Sequence, residues 1–325
     1  MAVYTHLSQK ALSALLETHY SLPPLISYQP IAEGIENSNY LITCENKISY
    51  IFTIFEKRAK AEDIPFYLSF MNHLAAENFP APKPIKTKTE NWCGEISGKT
   101  FALVSFLSGK SIVKPQAAHM KELGHFTAKM HKAGENFQAN RQNNFDLNSL
   151  QKLANSLADS LDKIDENLFA LVSDTLNHCK NNWPNNLPRG LIHADLFPDN
   201  VFFLDKNLSG VIDFYFACTD IYAYELAICL NAWCFENSTW NANLAQNFLD
   251  HYHSERKLSA AEWNALPLLM RGGAIRFLLT RTQDFSQKKE QEALVHHKDP
   301  KEYSAKLYFH HQRKNLSDYG LSARA

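Results

Sequence analysis

The feature of this sequence that most constrains its fold is a predicted β-hairpin within the stretch Arg189–Phe214. Two short apolar, β-prone runs, Val201–Leu204 and Val211–Ile212, flank residues 205–210, which are rich in turn-forming side chains. A hairpin brings the residue before its first strand and the residue after its second strand to the same end. Polar side chains that are distant in sequence are therefore expected to meet there.

Both ends of this hairpin carry side chains that suit a magnesium nucleotide. Asn200 precedes the first strand, Asp213 follows the second, and Asp195 lies five residues before Asn200. Mg²⁺ prefers hard oxygen ligands and takes one or two carboxylates, with phosphates and water in the other positions. Asn200 and Asp213 meet that requirement, which leaves Asp195 to hold the attacking hydroxyl in a phosphoryl transfer from ATP.

The sequence thus predicts Asp195, Asn200 and Asp213 as catalytic residues and assigns Mg²⁺ to Asn200 and Asp213. The competing interpretation is that these are ordinary loop acids and a helix-capping asparagine. A motif of three residues can also arise by chance. The position of Asp213 directly after the hairpin makes a chance match less probable. His193 is expected to be a structural hydrogen-bonding residue of this loop rather than a base.

Composition limits the classes of partner. The 325 residues are 45% hydrophobic, which predicts one or two domains with a large core. The formal net charge of −1 provides no long-range field for nucleic acid or for an anionic membrane, so neither is expected as a partner. The sequence gives no indication of the oligomeric state.

The cysteine pattern and the apolar tracts predict a cytoplasmic protein. The six cysteines form no C-x-x-C pair and read as reduced, mostly packed thiols. Met1–Tyr20 lacks the apolar core of a secretory signal. The longest apolar tract, Ile221–Phe235, is interrupted by Glu225 and is too short for a membrane span, so it predicts a buried helix.

The chain is predicted to have the α+β fold class, with an N-terminal nucleotide-binding part over residues 1–107 and a mainly helical catalytic and substrate part over residues 108–325. The first part begins with a short helix at Leu7–Leu16 and contains a longer helix at Asp63–Glu77. Its five predicted strands are Ile26–Ile31, Tyr40–Cys44, Ser49–Phe55, Trp92–Ile96 and Phe101–Phe106.

The second part is predicted from its leucine periodicity and one helix start signal. Ser149–Cys179 carries leucines at spacings of three and four, which indicates one long amphipathic helix packed against the rest of this part, with a coiled-coil partner as the alternative. Ser259 and Glu262 form a capping box that begins another helix. Gln287–Lys301 is charged and weakly periodic, and is expected to be a surface excursion.

One turn in the first part is a candidate phosphate-binding loop. Between the first two strands, Gly34, Asn37 and Ser38 combine a flexible backbone with amide and hydroxyl side chains, and such a turn can present N–H groups to phosphates. It has a single glycine, so a plain hairpin turn is the alternative. The strand end near Ser105 and Leu107 is expected to offer backbone groups to an adenine.

The residues so far described resemble the bilobal, protein-kinase-like enzymes of the aminoglycoside phosphotransferase and choline kinase type. More specifically, the chain resembles the homoserine kinase branch of that superfamily. The resemblance runs along nearly the whole chain, through the segments MAVYT, IAEGIENSNYLI, YIFTIFEKR, RGLIHADLFPDNVFF, IDFYFACTDIYAYELAICLNAWCFE and RGGAIRFLLTR.

This resemblance implies a small antiparallel-sheet lobe, a larger mainly helical lobe, and ATP and Mg²⁺ as cofactors. It implies phosphorylation of the side-chain hydroxyl of L-homoserine for threonine synthesis. Such a substrate needs a cation for its carboxylate, for which Arg276 or Arg281 is a candidate, and an anion for its ammonium, for which Asp220 or Glu36 is a candidate. In that superfamily the positions of Asp220 and Glu225 more often brace the catalytic loop.

The chain departs from the general kinase pattern in two ways, at the lysine that binds the phosphates and in the following helix, which lacks an evident glutamate at the usual distance although Glu62 and Asp63 lie near its start. Thr53 stands where such enzymes carry the lysine that binds the α- and β-phosphates, and the homoserine kinase branch shares this threonine. The cation for the phosphates is therefore open, with Lys57 and Arg58 as the nearest candidates. Each is equally well explained as a solvated charge at a strand end.

Two alternatives for the function remain. On the same fold the acceptor could be choline, an aminoglycoside or a sugar. A choline site would need an aromatic cage, and aromatic residues are available for one: Tyr215, which we assign to the substrate site, Phe216, Tyr222 and Trp233. The other alternative is a nucleotide-binding module without catalysis, which the threonine at position 53 suggests.

Overall fold

The structure, a computed structural model, describes residues 4–31, 37–56, 59–286 and 298–325. The chain forms two compact units. Unit 1 contains the described residues up to Gly109 together with Ser209–Tyr215, and unit 2 contains the rest. The division therefore differs from the single boundary after Leu107 that the sequence predicts, because the chain leaves unit 1 after Gly109 and returns to it at Ser209.

Unit 1 is built on one antiparallel sheet of five strands in the order β1-β2-β3-β5-β4. The central strand β3 is buried on both faces near its end, since Phe52, Thr53 and Ile54 are all buried. Apolar side chains of the first helix, including Leu12 and Leu16, belong to the same core as Phe52 and Ile54. The elements are α1 (Gln9–His19), β1 (Leu25–Ile31), β2 (Asn37–Cys44), β3 (Ser49–Phe55), α2 (Ile64–Ala76), β4 (Gly94–Ile96) and β5 (Lys99–Ser105).

The later segment of unit 1 is tied to it by hydrogen bonds and ring contacts. Ser209 donates from Oγ to the carbonyl oxygen of Ser108 at 2.8 Å, and the Val211 N–H donates to the carbonyl oxygen of Pro80 at 2.8 Å. Tyr215 makes an edge contact with Phe55, with ring centroids 4.9 Å apart. These partners explain why the segment belongs to a sheet domain formed mainly by the first third of the chain.

Unit 2 is mainly helical, as the sequence predicts, and its described residues form eight helices. Their bounds are α3 (Ala117–Gly134), α4 (Leu147–Ser156), α5 (Ala158–Ile164), α6 (Leu168–Asn182), α7 (Tyr222–Trp233), α8 (Ala242–Glu255), α9 (Ala260–Ser286) and α10 (Lys301–His311). Two short strand pairs accompany them: β6 (Arg189–Ile192) with β9 (Cys218–Ile221), and β10 (Phe235–Glu236) with β11 (Thr239–Trp240). The hairpin consists of β7 (Val201–Leu204) and β8 (Asn207–Val211), and the chain enters unit 1 within β8, at Ser209.

The prediction of one long helix over Ser149–Cys179 is wrong, because α4, α5 and α6 occupy that region. Asn167 adopts a left-handed backbone with φ 62° just before α6, which interrupts the helical path. The Asp162 carboxylate then accepts the Phe169 N–H at 2.9 Å, at the start of α6. The leucine spacing continues across these breaks, so periodicity alone could not reveal them.

Several local predictions are confirmed. The capping box begins α9, because Ser259 Oγ accepts the Glu262 N–H at 3.2 Å and Glu262 Oε2 accepts the Ser259 N–H at 2.9 Å. The hairpin forms, but its turn is shorter than predicted, since Asp205 takes a left-handed φ of 54° and β8 begins at Asn207. All six cysteines are free thiols, and Cys93 alone is not fully buried.

Two further observations concern the remaining predictions. Most of the predicted surface excursion Gln287–Lys301 lies outside the described residues, and Lys301 begins α10. No helix in the described ranges combines the length and the apolar character that crossing a membrane requires.

Candidate active site

The predicted catalytic aspartate lies on a loop that follows β6, and we call His193–Asn200 the site loop. β6 pairs antiparallel with β9, with Ile192 opposite Cys218. Ala194 then takes a left-handed φ of 64°, which is a strained conformation for a residue with a side chain. The loop closes with a short 3₁₀ turn at Pro198–Asn200 that leads directly into β7.

The structure brings Asp195 and Asn200 together. Asn200 Nδ2 donates to both the carbonyl oxygen and Oδ2 of Asp195, each at 2.9 Å. The backbone turn supports this contact, since the Phe197 N–H donates to the Asp195 carbonyl oxygen at 2.8 Å. Because both amide hydrogens of Asn200 serve Asp195, the amide oxygen Oδ1 is the atom that Asn200 has for a metal ion.

The backbone of the site loop is held by two buried side chains of helix α7. Glu225 of α7 is fully buried, and its carboxylate accepts the N–H groups of His193 and Ala194. Trp233, also on α7, donates from Nε1 to the Leu196 carbonyl oxygen at 2.6 Å. Hydrogen bonds to a buried carboxylate are charge-assisted and therefore strong. The site loop is thus fixed by residues that the hairpin motif itself does not contain.

His193 fits the structural role predicted for it. The side chain is fully buried, and its Nδ1 accepts the Asp195 N–H at 3.2 Å. A ring nitrogen that accepts a hydrogen bond carries no proton, so this nitrogen helps to fix the backbone of the neighbouring acid.

The two arginines predicted to bind the substrate carboxylate have partners inside unit 2. Arg276 is 1% exposed and donates from Nη1 to the Ala194 carbonyl oxygen at 2.8 Å. Its guanidinium lies 4.9 Å from the ring centroid of Phe145. Arg281 donates to Glu302 Oε2 at 2.6 Å. The geometry therefore supports bracing and ion-pairing roles for these arginines, which the sequence alone could not distinguish from ligand binding.

Asp220 also has internal partners. Its carboxylate accepts hydrogen bonds from Asn143 Nδ2 at 2.8 Å and from the Ile221 N–H at 2.8 Å, and Arg189 Nη2 lies 3.2 Å away. Asp220 is paired with Gly190 in the β6-β9 ladder, and β6 is the strand that leads directly into the site loop. These contacts support the bracing role rather than a contact with the substrate ammonium.

In unit 1, the Ser38 hydroxyl is occupied by a buried network. Ser38 is fully buried, accepts the N–H groups of Tyr4 and Thr5 at 2.9 and 3.0 Å, and donates to Glu56 Oε1 at 2.6 Å. Lys99, at the start of β5, pairs with the same Glu56. The sequence interpretation missed this cation, which lies two residues before Phe101, the β5 residue that pairs with Ile54 of β3.

The other predicted nucleotide residues of unit 1 lie on the sheet. Thr53 donates from Oγ1 to Asn39 Oδ1 at 2.8 Å. Asn37 is buried, and its Oδ1 accepts the Glu56 N–H at 3.4 Å. Ser105 is linked twice to Lys83, since its N–H donates to the Lys83 carbonyl oxygen and its Oγ accepts the Lys83 N–H, both at 2.9 Å. Leu107 follows β5 and is partly buried. The predicted site residues Gly34, Glu36 and Lys57 and the candidate Arg58 lie outside the described residues.

Asp213 and Tyr215 both lie in the later segment of unit 1. Asp213 has a left-handed φ of 65°, a conformation that is concentrated at functional sites. Burial raises the pKa of the Tyr215 hydroxyl, and the negative charge of Asp213 raises it further. The Asp213 carboxylate therefore lies close to Tyr215. As a hard oxygen donor it fits Mg²⁺, and so does Oδ1 of Asn200.

Two of the four aromatic residues suggested for a choline cage are core side chains of unit 2. Trp233 is 1% exposed and donates its N–H to the site loop, while Tyr222 is 3% exposed and stacks on His131 with ring centroids 4.4 Å apart. Neither ring is therefore available to line a choline site.

Comparison with known proteins identifies the family of the chain. The model of the phosphotransferase enzyme family (APH) matches residues 27–263. A homoserine kinase of Azorhizobium caulinodans is 44% identical over 324 residues, covering 99% of this chain and 100% of the relative. A homoserine kinase of Sinorhizobium fredii is 45% identical over 322 residues, covering 99% and 98%.

Solved structures that share the fold are more distant in sequence. A spectinomycin phosphotransferase, determined with ADP and spectinomycin, superposes with a TM-score of 0.71 at 15% identity and covers 95% of this chain and 100% of its own. A microcompartment-associated aminopropanol kinase gives a TM-score of 0.67 at 17% identity, covering 96% and 98%. The predicted α+β fold is confirmed, and the chain belongs to the phosphotransferase enzyme family, within which it groups with the homoserine kinases.

Proposed function

We propose that this protein is a homoserine kinase that transfers the γ-phosphoryl group of ATP to the side-chain hydroxyl of L-homoserine. The product would be O-phospho-L-homoserine, an intermediate of threonine biosynthesis. The identity of about 45% with homoserine kinases along the full chain supports this substrate. The observation that carries the chemistry is the closed turn in which Asn200 binds both the backbone and the carboxylate of Asp195.

In this proposal Asp195 orients the homoserine hydroxyl and accepts its proton as the phosphoryl group is transferred. The transition state of such transfers is loose, so correct positioning contributes more than the strength of the base. Arg276, Glu225 and Trp233 serve this purpose by fixing the backbone on both sides of Asp195. The oxygen atoms of Asn200 and Asp213 would hold Mg²⁺, which when bound neutralises charge on the phosphates.

The remaining predicted contacts are proposals of the same kind. The turn that contains Gly34, the strand residues Asn37 and Thr53, and the Ser105–Leu107 strand end are proposed to bind the nucleotide. The internal partners of Arg276, Arg281 and Asp220 support bracing and ion-pairing roles for these side chains rather than contacts with the carboxylate and ammonium of homoserine. The six free cysteines support the cytoplasm as the compartment.

Product analysis tests the function directly. The protein is incubated with ATP, Mg²⁺ and L-homoserine, and the products are identified by ³¹P NMR and mass spectrometry. We expect O-phosphohomoserine and an equal amount of ADP. Choline, an aminoglycoside and a sugar are tested as competing acceptors in a coupled ADP-release assay. Preference for any of these over homoserine would refute the proposed substrate, and ATP binding without any phosphorylated product would favour a non-catalytic module.

A further inference from the structure

The site loop contacts a part of the chain that lies beyond the matched family region, which ends at residue 263. Phe197, two residues after Asp195, packs against Phe277 of α9 with ring centroids 4.7 Å apart. It also contacts Tyr303 of α10 at 6.3 Å, and the rings of Phe277 and Tyr303 lie 5.5 Å apart. Phe197, Phe277 and Tyr303 thus form one cluster, which we call the ring cluster.

A second contact from the same C-terminal region reaches the other half of the site loop. Lys298 Nζ lies 2.6 Å from Asp199 Oδ2 and 4.7 Å from the ring centroid of Phe197. The side chains of Lys298 and Asp199 are 48% and 55% exposed. An ion pair this exposed contributes little to folding stability. Its effect on the position of the site loop is therefore separable from its effect on stability.

The ring cluster is itself supported by charged residues of α9 and α10. The guanidinium of Arg281 lies 4.4 Å from the Tyr303 ring centroid, and Lys306 Nζ lies at the same distance. Glu302 bridges the two cations, with Oε2 toward Arg281 and Oε1 toward Lys306. Cations over an aromatic face are attracted by its electron density, so this arrangement fixes the Tyr303 ring in the ring cluster.

The Tyr303 hydroxyl, unlike the ring, is not held by contacts with its neighbours in the described ranges. It is fully buried and has no hydrogen-bond partner among the residues that the structure describes. Burial raises the pKa of this hydroxyl, and the charge of Asp195 contributes to the rise, so Tyr303 lies within electrostatic reach of the predicted catalytic acid. A buried hydroxyl without a partner costs stability, which indicates that the fold uses the ring and not the hydroxyl.

We propose that Tyr303 and Lys298 are positioning residues that hold the Asp195–Asn200 turn in its reactive geometry through Phe197 and Asp199. Phe197 and Asp199 lie inside the turn that the Asp195–Asn200 hydrogen bonds close, so a shift of either residue displaces both functional side chains. This inference rests on the proposed kinase function. It assigns to a segment outside the matched family region an effect on the reaction that is exerted through the site loop.

The first experiment separates the ring of Tyr303 from its hydroxyl. Tyr303→Leu removes the ring, and we expect kcat for homoserine phosphorylation to fall by about tenfold or more, since small displacements of reacting groups reduce rates strongly. The KM values for ATP and homoserine should change little. Tyr303→Phe keeps the ring and should retain the wild-type kcat. Tyr308→Leu, on the same helix at a site that is 37% exposed, is the matched control and should also be active.

The second experiment uses the exposed ion pair, whose substitution does not endanger folding. Lys298→Met and Asp199→Asn should each lower kcat, and the double variant should lose no more than either single variant. Lys298→Arg should restore activity, and Lys301→Met, which removes an exposed lysine of α10, should have no effect. Thermal unfolding of every variant shows how much of each loss comes from a smaller folded fraction.

The outcomes distinguish this inference from the proposed function. A wild-type protein that forms no phosphohomoserine refutes the function. A wild-type enzyme that is active, with Tyr303→Leu and Lys298→Met retaining wild-type kcat, refutes the positioning role alone. Equal loss of kcat in Tyr303→Phe and Tyr303→Leu would also refute it, because the hydroxyl would then be the reacting-site contact.

Discussion

Arg276 donates a hydrogen bond of 2.8 Å from Nη1 to the carbonyl oxygen of Ala194, the residue immediately before the predicted catalytic aspartate. The two residues are 82 positions apart in the chain, so the contact joins the middle of α9 to the site loop. A buried guanidinium at this carbonyl fixes the left-handed conformation of Ala194.

Arg276→Met should therefore lower kcat by about tenfold or more while the KM for homoserine changes little. The free energy of unfolding should fall by about 1–3 kcal/mol, because a buried carbonyl loses its donor. Steady-state kinetics and urea unfolding measure the two effects. Arg271→Met is the matched control, since Arg271 is a buried α9 arginine that donates to the carbonyl oxygen of His310. A large rise in the KM for homoserine with unchanged kcat would show instead that Arg276 binds the substrate.

The two predicted acids should differ in how completely their loss stops the reaction. We expect Asp195→Asn to reduce kcat by roughly 10²–10⁴-fold, the usual range for loss of a general base. Asp213→Ala should reduce it below detection, since charge neutralisation matters more than base strength in a loose transition state. Asp205→Asn is the control, because Asp205 is an exposed turn acid at φ 54° and asparagine tolerates that conformation. Comparable residual rates for Asp195→Asn and Asp213→Ala would contradict the assigned roles.

The stability of the protein should depend on pH through His310. This side chain is fully buried, and its Nδ1 and Nε2 lie 2.9 Å from Tyr319 Oη and 2.7 Å from Asn231 Oδ1. Burial, aided by the charge of Arg271, lowers the pKa of His310 to about 3. An unfolded histidine titrates near 6.5, so below that pH the unfolded chain binds a proton that the folded chain does not.

The stabilising contribution of neutral His310 is therefore complete above pH 6.5 and is lost progressively as the pH falls toward 3. We expect a loss of about 2 kcal/mol between pH 7.5 and pH 5, measured by urea unfolding. His310→Gln should remove this part of the pH dependence, whereas His311→Gln, an exposed neighbour on α10, should leave it unchanged. An identical pH profile for His310→Gln and the wild type would show that His310 is not responsible.

The packing of α3 against α8 requires a glycine at position 124. A Cβ built on Gly124 lies 2.6 Å from the Phe248 carbonyl oxygen, a backbone atom that cannot rotate away. Glycine to alanine in a helix is otherwise favourable by about 1 kcal/mol. Gly124→Ala should instead destabilise the protein by about 1–3 kcal/mol. Urea unfolding tests the sign, with Lys121→Ala at an exposed α3 position as the neutral control.

The parts of the fold that the sequence predicts correctly are those with local causes. The alternating side chains of Ser49–Phe55 are sufficient to predict strand β3. The capping pair Ser259 and Glu262 is sufficient to predict where α9 begins. The site motif could be predicted for the same reason, because Asp195 and Asn200 are close in sequence and meet through one short turn. Glycine and aspartate in the predicted hairpin suggested a longer turn than the two residues that form it.

The parts that could not be predicted depend on partners that are distant in sequence. Arg276 and Arg281 both lie among apolar residues of α9, and nothing local distinguishes a brace of the Ala194 carbonyl from an ion pair with Glu302. The buried Glu225 contacts backbone N–H groups more than thirty positions away. Every residue except proline has a backbone N–H group, so the sequence does not show which of them Glu225 binds. The break before α6 was hidden because the leucine spacing continues through it.

The return of Ser209–Tyr215 to unit 1 has a consequence for how the protein is made. Phe214 packs against Phe70, and Tyr215 packs against Tyr67, so helix α2 of unit 1 has aromatic partners that are synthesised long after Gly109. A fragment that stops at Gly109 lacks them. On the ribosome, these contacts of α2 can therefore form only after roughly two thirds of the chain has been synthesised, unlike those of a domain that folds as soon as its own sequence is translated.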